Sequence, residues 1–483
     1  MEVEKLKTSA FGVQTLATIC ISFLASQTGF VCSWPSYTVA NFTSNMTILN
    51  RPMTSMDISL LGALPNIGGL IATPFCGYIF NTLGRKYATV LFGLPYVFTW
   101  LIIAFSRNVT LVLLAMILAG VGIGGQNVSM IFISEISHDS IRGGLTSCSA
   151  TGYFLGILIS YILGGYLSYY QVVYTHLTLS VVCIGLLLLL KDSPVYLMMA
   201  GKEEEAAKAI AFYNQVGVES KIVEVEMRKI KMQMDPRLES MLDTENVADA
   251  EVTDELIQRK LAEMVPRKEP SWKILRKSKS SKRALVTVLI VIATTIMMGS
   301  VVLQVYAEPL FKEAVPSMSA SLCAIMLAVD LLLASVVCVL VIDKFGRKNL
   351  LIVTSALSGV CTFLLGVQLQ VHFAPPWFTA FLIYLYTFVY TVGCAVIPFV
   401  LAAEVFLPEV RGLCNSLSMG FVWIITFTTL FIFNPLVELL GLGTVFYLFS
   451  AICFLGTAFA YFRLPETKGL SADAIQLLFL KNK

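Results

Sequence analysis

The sequence predicts an all-α membrane protein, with twelve transmembrane helices in two six-helix bundles joined by a cytoplasmic helical linker. Three observations carry this. Of 483 residues, 57% are hydrophobic and only 13% are charged, about half the ~25% charged share of a soluble domain. The apolar residues gather in runs that reach the ~20 residues a helix needs to cross a bilayer. Short charged motifs of the first half also return, in order, in the second. Gly84, Arg85 and Lys86 recur as Gly346, Arg347 and Lys348, an offset of 262. Glu135, followed seven residues later by Arg142 and Gly143, recurs as Glu404 followed by Arg411 and Gly412, an offset of 269. A looser echo relates Lys191, Asp192, Ser193 and Pro194 to Pro465, Glu466, Thr467 and Lys468, offset by 274. A duplicated six-helix half is the mark of a carrier built from two bundles around a central path.

The expected spans lie near 12–35, 58–80, 87–106, 110–134, 145–168, 172–190, 284–307, 319–342, 349–371, 377–402, 413–434 and 442–463. Backbone groups in hydrocarbon must be satisfied within the segment, so each run is a helix. Runs this long exclude barrel strands. The first follows only seven residues and is too long for a cleavable signal, so it is expected to stay as an anchor. Residues 1–190 form the first bundle, 191–283 the linker, 284–463 the second bundle and 464–483 a tail.

Charge orients the chain. Arg51, Arg107 and Lys312 fall on one side, and the other 31 of 34 basic residues on the other. By the positive-inside rule both termini are cytoplasmic. Asn41 (with Thr43) and Asn45 (with Thr47) then lie outside as glycosylation acceptors. Asn108 sits too close to the membrane, and Asn127 lies inside a span. The linker, with 18 basic and 17 acidic residues, is too balanced to be a nucleic-acid arm. Residues 203–216 and 219–234 carry helical patterning, and 235–256 reads as flexible. Trp272, Ile274 and Leu275 interrupt the basic run before span seven and are expected to dock a short helix on the cytoplasmic face, either as a latch between bundles or as a tether.

Several patterns lead nowhere chemically. The eleven cysteines lie in or beside spans without a Cys-x-x-Cys pair, as small packing residues do. His138, His176 and His372 are far apart, so no metal site is expected. Gly120, Gly122, Gly124 and Gly125 imitate a nucleotide loop, but no strand precedes them, and close helix packing is the better reading. Gly152 with Gly156, and Gly68, Gly69 and Gly77, make similar small-residue faces. Arg85, Glu135, Arg142, Arg347, Glu404 and Arg411 stand at the cytoplasmic helix ends. Paired there, they suit a gate that locks one arrangement of the bundles and breaks in another.

These motifs make the chain resemble the sugar porter family of the major facilitator superfamily over nearly its whole length. The resemblance rests on Leu83–Lys86, Glu135 with Arg142 and Gly143, Asp192–Pro194, Asp343–Lys348, Ile397 and Pro398 with Ala403–Phe406 and Arg411, and Pro465–Gly469. Within the family it is most similar to insect facilitated trehalose transporter-like proteins. The resemblance implies a sugar carrier (monosaccharide or trehalose-like disaccharide) working by facilitated alternating access in the plasma membrane. It also implies no catalysis, no cofactor and no nucleic-acid partner. A monomer surrounded by lipid is expected.

The departures weaken the sugar assignment. The family's helix-seven glutamines and asparagine are replaced in Thr295–Val301. A helix-five glutamine aligns with Ala150, and the tryptophan after Ile397 and Pro398 is Phe399. Sugar hydroxyls need paired donors and acceptors. Gln126, Asn127, Thr295, Ser300, Gln304, Tyr306, Thr391, Phe399 and Trp423 are the candidate replacements. Asp330, mid-span in helix eight, joins them, because an ionisable group there is functional by default. Proton-coupled members carry a helix-one acid and a helix-four arginine. Thr28, Gly29 and Ala115 stand here instead, which favours uncoupled transport. The alternatives are a proton-coupled carrier, a non-sugar carrier, or a non-transporting sensor on the same scaffold.

Overall fold

A computed structural model describes residues 8–138, 140–234, 271–468, 470, 475, 476, 478 and 479. Residues 235–256, expected to be flexible, lie outside the described residues, as do Gly469 and most of the tail. Among the described residues, twelve helical segments are long and apolar enough to span a bilayer.

The first six spans are α1 (Thr8–Phe42), α2 (Ser55–Leu83), α3 (Arg85–Phe105), α4 with α5 (Val109–Gly124, Gln126–Ile136), α6 (Arg142–Tyr166) and α7 (Tyr169–Leu189). Three linker helices follow: α8 (Pro194–Met199), α9 (Glu203–Asn214) and α10 (Lys221–Met234). The short α11 (Ser271–Lys277) leads into the second set. There, span seven is split into α12 (Lys279–Met297), α13 (Ser300–Val305) and α14 (Ala307–Ala314). Next come α15 (Ala320–Phe345), α16 (Arg347–Val371), α17 with α18 (Pro376–Val392, Ile397–Glu404), α19 (Pro408–Leu440) and α20 (Leu442–Arg463).

Helix packing repeats between the halves. In the first, α1 packs on α6, α2 on α4 and α3 on α7. In the second, α12 packs on α19, α15 on α17 and α16 on α20. The bundles meet through α2 against α19 and α6 against α15, a reciprocal pairing. Each half has its own apolar core.

Close approach rests on small residues. A Cβ on Gly68 would lie 2.0 Å from the Ile117 carbonyl, and one on Gly120 1.9 Å from the Pro65 carbonyl. Gly152 and Gly156 abut α1 at Ser22 and Ser26 in the same way. Gly69 admits the Trp423 ring, but a Cβ on Gly77 meets nothing within 4 Å, so that part of the expected packing face is open.

Three expected continuous spans are interrupted. Span four breaks at Gly125, where the Phe92 side chain fills the place of a Cβ. Span ten breaks over residues 393–396, before Pro398 in the first turn of α18. Span seven breaks at Gly299, which takes φ +96° and has the Phe449 ring where a side chain would go. Only glycine adopts that conformation without strain. Breaks in paired spans are what membrane carriers place beside their solute path.

The linker divides its attachments. α8 packs on α5 and α9 on α1, whereas α11 packs on α19. Ile274 and Leu275 do the docking of α11, and Trp272 stays exposed. In this arrangement α11 is tethered to the second bundle.

Candidate functional site

Two charge clusters, built alike, lie at the end of the bundles that carries the Arg85 and Arg347 turns, here called the basic face. Gly84, at φ +85°, turns the chain between α2 and α3. Arg85 then reaches Glu135 on α5 with a two-pronged contact: Nε to Oε2 at 2.7 Å and Nη2 to Oε1 at 2.8 Å. The guanidinium also stands 3.9 Å from the centre of the Phe80 ring. Asp192 Oδ1 accepts from the backbone N–H groups of Arg85 and Lys86, each at 3.0 Å, and Ser193 Oγ donates to Glu135. The opened N-terminus of α3 is thereby satisfied by a carboxylate, the favourable charge at that end of a helix dipole.

The second cluster repeats the first. Gly346 turns at φ +80°. Arg347 donates from Nε and Nη2 to Glu404 Oε1 at 3.1 and 2.9 Å. Glu466 accepts from the backbone N–H groups of Arg347 (2.9 Å) and Lys348 (3.1 Å), and Thr467 Oγ1 donates to Glu404 at 2.8 Å. The looser sequence echo therefore has a structural meaning, since Glu466 and Thr467 do what Asp192 and Ser193 do. The two remaining gate candidates also match each other. Arg142 Nη2 donates to the Ser137 carbonyl at 3.3 Å, and Arg411 to that of Phe406 at 3.3–3.4 Å. Among the described residues, each ion pair joins elements of a single bundle, Arg85–Glu135 in the first and Arg347–Glu404 in the second, and so stiffens that bundle.

Contacts between bundles concentrate at the opposite face and in the middle. Ser36 Oγ accepts from the Glu308 N–H at 2.9 Å, Tyr306 donates to the Ile58 carbonyl at 3.1 Å, and Asn434 donates to Ser59 at 3.2 Å. Ser55 donates to Glu438. Deeper in, Tyr153 donates to Gln304 Oε1 at 3.0 Å and Tyr161 to the Gln304 carbonyl. Trp423 Nε1 donates to Thr73 at 2.8 Å. Among the described residues, no side-chain hydrogen bond joins the bundles nearer the basic face. There Gly77 on α2 and Gly412 on α19 have open space where a Cβ would stand. Among the described residues, side-chain bonding between the bundles is thus confined to one end and the middle.

The solute candidates scatter along this seam. Gln304 is buried between the bundles, its carboxamide held by Tyr153 and, at 3.4 Å, by Ser300. Trp423 bridges the bundles. Thr295 and Thr391 are buried, and the Thr295 carbonyl accepts from Tyr390 at 2.9 Å. Gln126 is half-buried at the span-four break, and Phe399 is exposed on α18. The side chain of Asn127 lies outside the described residues. Asp330 accepts from Thr387 of α17 at 2.8 Å and is half-buried on the strip of α15 that carries exposed Met326 and Leu333. Asn45 is exposed in a turn, whereas Asn41 is half-buried in the last turn of α1. Tyr306, a helix-seven candidate, is buried at the seam and bonds the first bundle, whereas sequence reasoning missed Tyr153, Tyr161 and Asn434. The one signal available was the eight-residue spacing of Tyr153 and Tyr161, which puts both on one helical face.

The family model described as "Sugar (and other) transporter" matches residues 13–479. The facilitated trehalose transporter Tret1 of Drosophila virilis is 25% identical over 474 residues, covering 96% of this chain and 48% of that protein. Tret1 of Drosophila mojavensis is 24% identical, covering 96% and 51%. The chain thus spans about half the length of the curated relatives it matches. Among solved structures, the inward-open xylose transporter XylE of E. coli aligns with TM-score 0.74 at 18% identity, covering 97% of this chain and 99% of that one. The proton:xylose symporter XylE bound to 6-bromo-6-deoxy-D-glucose aligns with TM-score 0.67 at 19% identity, covering 98% and 100%.

Proposed function

Since the chain belongs to the sugar transporter family, we propose that it carries a small polar solute, a monosaccharide or trehalose-like disaccharide, by facilitated alternating access. The observation that carries this reading is the pair of bundles bonded to each other at one face and in the middle, with open space at Gly77 and Gly412 of the other face, and stiffened by matching charge clusters. Such an arrangement is one half of an alternating cycle. The positive-inside rule makes the basic face cytoplasmic, so the arrangement is inward-facing in the plasma membrane. The protein performs no covalent chemistry and works as a monomer in lipid.

One observation favours a second reading, a carrier whose solute is no longer a sugar. The span-seven break presents Met298, Gly299 and Ser300 where the family keeps glutamines. The carboxamide of Gln304, which bonds Ser300 of that break, also bonds Tyr153. An uptake panel in proteoliposomes separates the two. Labelled trehalose and glucose should equilibrate without accumulating under an imposed pH gradient. Accumulation would establish coupling, and uptake confined to polyols or organic acids would establish the second reading.

Asp330 is best explained as a tether between α15 and α17. Asp330→Asn keeps an acceptor for Thr387 and should leave uptake within about twofold of the parent. Asp330→Leu removes the bond and should lower thermal stability, since interhelical hydrogen bonds in membranes are worth ~0.6 kcal/mol on average. A large change in solute affinity with Asp330→Asn would return the carboxylate to the solute path.

A further inference from the structure

We propose that α11 and the start of α12 form a docking surface for anionic phospholipid headgroups of the adjoining leaflet. The inference uses only the membrane-spanning reading and is independent of the solute. Between residues 271 and 283 the chain carries six basic residues (Lys273, Arg276, Lys277, Lys279, Lys282 and Arg283) and no acidic one. All six are exposed. The segment is held in place: Ile274 and Leu275 pack against the second bundle, the Ser278 N–H bonds the Ile274 carbonyl at 2.9 Å, and Ser278 Oγ caps α12 by accepting from the Ser281 N–H at 3.2 Å.

The fixed helix leaves Trp272 54% exposed, with Lys273 Nζ 5.6 Å from the centre of its ring. An indole beside ammonium and guanidinium groups, a few residues before a span, matches the composition of the headgroup layer. Basic clusters immediately next to a span attract anionic lipid over a Debye length. The occupant is therefore the leaflet itself. A soluble anion would supply charge complementarity but nothing for the indole.

The test uses the full chain in nanodiscs containing brominated lipid. The Trp272 fluorescence is isolated by subtracting the signal of Trp272→Phe, or of Trp272→Tyr if the first variant folds poorly. Brominated phosphatidylserine should quench this component about twofold or more over the same fraction of brominated phosphatidylcholine, and raised salt should narrow the gap. The combined variant Arg276→Gln, Lys279→Gln, Lys282→Gln should bring the two lipids to parity with an unchanged melting temperature. Parity in the parent would overturn the proposal, as would a preference for phosphatidylserine that survives the combined variant. A Trp272 signal unmoved by either lipid but altered by inorganic phosphate would place a soluble anion there and would also overturn it.

Discussion

Arg85→Ala is expected to abolish transport and to lower folding stability by about 3–5 kcal/mol, the cost of removing one partner from a buried ion pair. The side chain of Arg85 is 5% exposed and that of Glu135 13%. Without Arg85, the Glu135 carboxylate keeps only Ser193 as a partner in this cluster. The double variant Arg85→Ala, Glu135→Ala should recover much of the stability, because it leaves no uncompensated charge. The mirror change, Arg347→Ala, should cost less, since that pair is more open at 13% and 28% exposure. Thermal unfolding of Arg85→Ala, Glu135→Ala and their combination beside the parent, read as a double-mutant cycle, and of Arg347→Ala for comparison, checks the sequence of effects. If Arg85→Ala lost no more than the ~1 kcal/mol of a surface pair, the cluster would be solvent-screened and would merely anchor topology.

The charged part of this architecture was legible because charge is conspicuous in an apolar chain. The repeated glycine–arginine–lysine turns and the two glutamates marked both clusters, and even the weak echo at Glu466 and Thr467 proved to share a role. The pairing within the clusters was less legible. Glu135 and Arg142 are close in sequence, yet Glu135 pairs with Arg85, fifty residues away. That choice is made by the packing of α3 on α5, which no local pattern encodes.

The seam between bundles was least legible. Tyr153 and Tyr161 drew no attention within their apolar span, and their hydroxyls acquire meaning only once the second bundle supplies Gln304. The break at Gly299 was hidden for a related reason. A glycine inside an apolar run is compatible with a straight helix, and the Phe449 ring across the bundle shows why it is not one. Asp330 is conspicuous as a mid-span acid, but its bond to Thr387 beside an apolar exposed strip was not readable from composition.

Gly120→Ala should cause the largest loss of folded protein from a single added methyl group. The new carbon would stand 1.9 Å from the Pro65 carbonyl oxygen and 2.9 Å from the Gly68 Cα. Both are backbone atoms, so no rotamer change relieves the clash, and α2 must move off α4. Overpacking typically costs ~1–3 kcal/mol, and here relief would also disturb the seam, because α2 carries Gly69 and Thr73 against Trp423. Gly143→Ala is the control. Its methyl would meet nothing within 4 Å, and alanine favours a helix over glycine by ~0.8–1.0 kcal/mol. The expected result is a sharp fall in monodisperse yield and melting temperature for Gly120→Ala, with Gly143→Ala equal to the parent or slightly more stable. A Gly120→Ala protein that melts with the parent would mean that α2 and α4 do not meet in this register, and the small-residue reading of both helices would fall with it.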